Sequence, residues 1–88
     1  MSHALAHQQI EGTLVASNPP ARLLVIKSGG SFLITSVSPC AQVRLHGELV
    51  RLRLLQVGDH VVVVASATPL GLVASSVFAE SLPGSDRK

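Results

Sequence analysis

The side chains with chemistry to offer are few and scattered. Four histidines (His3, His7, His46 and His60) and one cysteine, Cys40, are the residue types that hold zinc through an imidazole nitrogen or a thiolate. Their spacing follows no ligand pattern: His3 and His7 would meet only on a helix, and Cys40, His46 and His60 are dispersed. No metal site is expected. Cys40 follows Pro39 with no neighbouring cation or base to activate its thiol, so it reads as a small apolar filler rather than a nucleophile. Glu11, Glu48 and Glu80 stand singly on different segments, and Asp59 belongs to a Gly58-Asp59 turn, so no carboxylate pair emerges for acid–base work. His60, next to Asp59, reads as an exposed residue at a strand start. Ser28-Gly29-Gly30-Ser31 is glycine-rich but lacks the lysine and the strand-to-helix setting of a phosphate loop. The expectation is therefore a non-enzymatic chain with no catalytic residues and no cofactor.

Positive charge is what gathers. Arg44, His46, Arg51 and Arg53 lie on two segments that a hairpin would bring onto one face, with Glu48 at its tip. Guanidinium groups hold phosphates bidentately and stack on bases, so these four residues are the candidates for binding single-stranded nucleic acid. The aromatic platform that such a surface normally uses is nearly missing. There is no Trp or Tyr, and Phe32 and Phe78 stand in strongly apolar segments where core packing is the expected role. A solvated strand face would carry the same arginines.

The elements that must position these residues read as short strands. Residues 9–17 alternate, with Ile10, Gly12, Leu14 and Ala16 on one face and Glu11, Thr13, Val15 and Ser17 on the other. Asn18-Pro19-Pro20 ends that strand. Residues 21–27 are apolar on both faces, and the Ser28–Ser31 glycine turn leads to a third strand at 32–35, completing a meander. Ser38-Pro39-Cys40 is expected to break the third strand. Residues 42–46 alternate again, Gly47 turns the chain, and Val50, Leu52 and Leu54 alternate with Arg51 and Arg53. That pattern predicts a strand pairing back on 42–46, with a helical turn within 49–55 as the alternative. The turn Gln56-Val57-Gly58-Asp59 leads into residues 60–65, where four consecutive valines suit a strand packed on both faces. Thr68-Pro69 ends it. A last strand spans 72–80, with Val73, Val77 and Ala79 opposed to Ala74 and Phe78. Residues 1–8 are expected to form a flexible lead and 81–88 a disordered tail, leaving 9–80 as one domain.

Taken in order, Glu11-Gly12-Thr13-Leu14-Val15, a strand-glycine-strand hairpin, Leu55-Gln56-Val57-Gly58-Asp59-His60-Val61 and a final strand carrying Ala74 resemble a known pattern. It is that of the small bacterial OB-like domains of unknown function, with a Gly-Thr-Val opening, a Leu-x-Val-Gly-Asp-x-Val centre and an Ala-x-x-Ile/Val last strand. The resemblance covers about residues 9–80. It implies an OB-like fold and carries no catalytic residue or cofactor across.

With 88 residues the chain makes one domain that buries only roughly 60 to 65% of its unfolded surface. Since 47% of the residues are hydrophobic and two are aromatic, the core has to be aliphatic. The expected fold is all-β: a small five- to six-stranded, antiparallel, OB-like barrel with short hairpin turns, whose closure limits exposed strand edges. One cysteine permits no intramolecular disulfide, and no segment reaches the ~18 apolar residues of a membrane helix. The N-terminal residues do not read as a secretory signal, so a cytoplasmic location and no membrane partner are expected. Segments 21–27 and 60–65 carry more apolar surface than one small barrel interior needs. The first expectation is thus an interaction or assembly module that contacts protein, by self-association or within a larger assembly, through aliphatic strand faces or edges. The alternative is the nucleic-acid-binding barrel using Arg44, His46, Arg51 and Arg53.

Overall fold

A computed structural model describes residues 7–81; the rest of the expected lead and tail lies outside the described residues. His7 and Gln8, assigned to the lead from sequence, already belong to the first strand and pair with Ser66 and Ala65.

Six strands form: β1 (His7–Asn18), β2 (Leu23–Ser28), β3 (Ser31–Leu45), β4 (Glu48–Leu49), β5 (His60–Thr68) and β6 (Gly71–Glu80). The first three make the expected meander. β1 also pairs with β5, β5 with β6, and β6 with β3, so the order β1-β2-β3-β6-β5 closes on itself and β4 adds a short outer pairing to β3. This is a closed five-stranded barrel of the OB type with one extra strand, and no α-helix occurs among the described residues. The ladders are antiparallel except β3–β6, which runs parallel. An all-antiparallel barrel is impossible here, because strand direction cannot alternate all the way round a ring with an odd number of members.

Period-two alternation turns one set of side chains inward. Leu14, Leu24, Ile26, Val61, Val63 and Val77 are wholly buried, each contributing on the order of 1.5–3 kcal/mol by leaving water. In the valine run, Val61 and Val63 face in while Val62 and Val64 are half-buried on the outside. Two bulges reset the alternation. Val15 is the extra residue between the pairs Leu14↔Ile26 and Ala16↔Val25, so Ala16 is exposed rather than inside with Leu14. Ser75 is the extra residue opposite Val64 and Ala65, which lets Ala74 share the buried face with Val77 and Ala79.

Four other expectations fail. Pro39 does not break the third strand: β3 runs through it, and the proline sits where the β6 ladder lapses between Val37 and Gln42, so no pairing donor is lost. Cys40, in the same stretch, is exposed and is not a filler. The predicted 50–54 strand is absent. Leu52–Leu54 form a 3-10 turn, the alternative reading, because Leu52 and Leu55, three apart, are both buried in the core. Nor do the phenylalanines join the core, for Phe32 is 64% and Phe78 41% exposed.

The turns are determined by backbone chemistry. Gly29 and Gly30 both have positive φ (59° and 84°), the pair of conformations a two-residue hairpin turn of this hand requires. The Gly58-Asp59 turn is tied to β1: Gly58 N–H donates to Leu14 O (2.8 Å), Leu14 N–H donates to Asp59 O (2.9 Å), and Gln56 N–H donates to the buried Asp59 carboxylate (2.9 Å).

Gly12 marks a close crossing of β1 and β2, where an added Cβ would fall inside the van der Waals shell of the Lys27 carbonyl oxygen. Gly12→Ala is expected to cost about 2 kcal/mol or more, since the obstruction is backbone. Gly29→Ala, with open space around it, should cost about 1 kcal/mol from its left-handed φ alone. Chemical denaturation of both variants measures the difference; equal losses would refute the close-crossing account.

Candidate functional site

The β1–β2 connection is a 3-10 turn, Pro19–Ala21, closed by Arg22 in the left-handed region (φ 56°, ψ 47°), whose N–H donates to Pro19 O (3.0 Å). The Arg22 guanidinium reaches across to β3, where Nε donates to Val37 O (2.9 Å) and Nη2 to Ser38 O (2.8 Å). Val37 N–H donates back to Arg22 O (2.8 Å). Arg22 thus staples the turn to the stretch of β3 where sheet pairing lapses, offering donors to backbone carbonyls there.

Between this turn and residues 50–53 lies an open groove of about 590 Å³. Its apolar lining includes Pro19, Val43, Val50 and Leu52. Its charge comes from Arg22, Arg51 and Arg53, and no carboxylate lines it. Arg51 and Arg53 flank Leu52: the leucine enters the core while both arginines stay exposed, their guanidinium groups without a hydrogen bond or ion pair among the described residues.

The expected four-residue basic patch is therefore split. Arg44 Nη1 donates to Gly47 O (3.0 Å), which holds it at the β3–β4 turn. His46 occupies that turn with φ 54°, and its Nε2 accepts the Ser81 N–H (3.3 Å). Neither lines the groove. The reason is the shortness of the hairpin: β4 pairs only Glu48 and Leu49 with β3, Val50 N–H adds one bond to Val43 O (2.9 Å), and the chain leaves the sheet before Arg51. Arg22, which does line the groove, was invisible as a site residue because nothing but Pro19-Pro20 ahead of it signals the turn.

Other polar groups have local structural work. His60 Nε2 lies 2.9 Å from Glu11 Oε2 across β5 and β1, so Glu11 is not isolated, and His7 Nδ1 lies 3.1 Å from Ser66 Oγ. Among the described residues no three of His, Cys, Asp or Glu converge as a metal-binding group.

A second surface lies on the outside of β2–β3. Val25 pairs with Ile34 and Lys27 with Phe32. Ile34 is 66% exposed, and Lys27 Nζ sits 5.9 Å from the Phe32 ring centroid, a cation–π distance. Phe78 lies elsewhere, with Val62 and Arg44 as its cross-strand neighbours.

Fold and surfaces together define a small OB-type barrel with an arginine-bearing groove and an exposed apolar strand face. Among solved structures the chain is similar to apo-CusF from Escherichia coli, with a TM-score of 0.68 at 10% identity, covering 88% of this chain and 92% of that one. It is also similar to Ag(I)CusF, with a TM-score of 0.63 at 9% identity over 82% and 95% of the two chains. At such identities the likeness is one of fold. No family model and no curated protein matches the chain. No helix among the described residues is long and apolar enough to cross a membrane.

The three groove arginines should separate by role in denaturation. Arg22→Ala is expected to lose about 2 kcal/mol, since two strand carbonyls lose a charged donor. Arg51→Ala and Arg53→Ala should stay within about 0.5 kcal/mol of the parent, as for surface changes that break no contact. A loss at Arg51 or Arg53 as large as that at Arg22 would contradict the assignment.

Proposed function

We propose that the chain is a non-enzymatic assembly module that associates with a second copy of itself through the outer face of β2–β3. The observation that carries this reading is the exposure of Phe32 and Ile34 side by side on that face. Of the six outward positions, Leu23, Val25, Lys27, Phe32, Ile34 and Ser36, only Lys27 is charged, and its ammonium group sits near the Phe32 ring. Apolar area left in water forgoes about 25 cal/mol per Å², which face-to-face packing recovers. A second copy carries the same patch, so a two-fold axis between the copies would pack this face on itself, as an isologous contact requires. Under this reading the chain is one of the OB-like domains that its motifs resemble.

The non-enzymatic part is supported by how the reactive groups are used: Asp59 secures a turn and His60 is engaged by Glu11. Silver(I), held by one of the two structural neighbours, calls for soft sulfur or imidazole donors. Here Cys40, His7, His46 and His60 stand on different elements, and no three His, Cys, Asp or Glu side chains converge among the described residues. The nucleic-acid alternative keeps Arg51 and Arg53 but loses Arg44 and His46, and no aromatic ring lines the groove.

Size-exclusion chromatography with light scattering, at low and high salt, is the test. The expected result is a dimer that survives high salt and becomes a monomer on Ile34→Asp, with the melting temperature extrapolated to low protein concentration unchanged. A parent chain that stays monomeric at every protein concentration would overturn the proposal. So would association that appears only with a single-stranded oligonucleotide and vanishes with salt.

A further inference from the structure

We infer that the groove between the Pro19–Ala21 turn and residues 50–53 binds a carboxylate carried on an aliphatic chain. This site is separate from the β2–β3 face and does not depend on self-association. Its polar side chains are all guanidinium groups, which donate and never accept, so a complementary ligand must bring acceptors and negative charge. The uncommitted forks of Arg51 and Arg53 suit a carboxylate, whose two oxygens match the guanidinium geometry.

The rest of the lining selects the rest of the ligand. Pro19, Val43, Val50 and Leu52 offer aliphatic surface, with neither an aromatic ring for a base nor a side-chain acceptor for hydroxyl groups of a sugar. A volume of about 590 Å³ lies within the range of roughly 300–1,000 Å³ typical of small-molecule sites. One wall is preformed: two nitrogens of Arg22 are fixed on Val37 and Ser38, so its charge is held beside the groove before any ligand arrives. The same chemistry occurs in a free acyl carboxylate and at the C-terminus of a peptide with aliphatic last residues.

Titration of the full chain with octanoate, followed by amide chemical shifts, tests the inference, with an acetylated aliphatic peptide acid as the second arm. Saturable shifts at Arg22, Val43 and residues 50–53 are expected. Octanol and acetate should each bind at least tenfold more weakly, and the Arg51→Ala/Arg53→Ala double variant should lose tenfold or more in affinity at unchanged melting temperature. If the peptide acid binds more tightly than octanoate and its amide does not bind, the source is a chain terminus; the reverse order indicates a free acyl carboxylate. Shifts that do not saturate, shifts confined to Phe32 and Ile34, or equal binding of octanol would overturn the site. An oligothymidylate that displaces octanoate and binds more tightly, with steep salt dependence, would reassign the groove to nucleic acid.

Discussion

Five strands cannot alternate in direction around a closed ring, and the one parallel pair this forces, β3 with β6, shapes everything around it. β3 must leave β2, cross the barrel end and continue along β6, which takes fifteen residues and a lapse in pairing between Val37 and Gln42. Pro39 is tolerated because it falls in that lapse. The Arg22 guanidinium is drawn to the same place by its carbonyls. The groove therefore opens where the sheet changes partners, and its position is set by topology as much as by any choice of lining residue.

A barrel this small also decides where bulk can go. The inner faces of β5 and β6 carry Ala65, Ala74 and Ala79, all buried, beside branched aliphatics that fill the interior. Leu52 and Leu55, presented by a single helical turn, are buried with that core. Both phenylalanines fall on outward positions of their strands, so the interior is aliphatic and the rings stand on the outer surface. The apolar strand face is in that sense the counterpart of an all-aliphatic core.

How much of this could be read from the sequence differs by element. The Ser28–Ser31 glycine turn and the four valines announced themselves, because a positive-φ turn and a β-branched run have few alternatives. The bulges at Val15 and Ser75 did not, since an inserted residue leaves the local alternation intact and only shifts the facing of the residues beyond it. Leu49 to Leu55 fits a strand and a helical turn equally well by residue type; the choice was made by the need to bury Leu52 and Leu55 together. Phe32 and Phe78 were misplaced because apolar character fixes a preference for the interior, not a place in it. Of the four expected site residues, Arg51 and Arg53 share a groove, while Arg44 and His46 stay on a β3–β4 hairpin that ends before reaching Arg51, and Arg22 entered through a turn whose fold depends on distant β3.

The insertion of β6 between β5 and β3 has a consequence for how the chain reaches this state. During synthesis β1, β2 and β3 emerge early and can pair as a local meander, but that sheet has two open edges until the last strand arrives. Ring closure waits on contacts far apart in sequence, such as Ile10 with Val63 and Val43 with Val77. High contact order of this kind places barrel folding in the millisecond-to-second range rather than microseconds. For that interval the nascent meander carries unpaired backbone beside exposed Phe32 and Ile34, and a ribosome-bound chain is at its most aggregation-prone just before β6 is released.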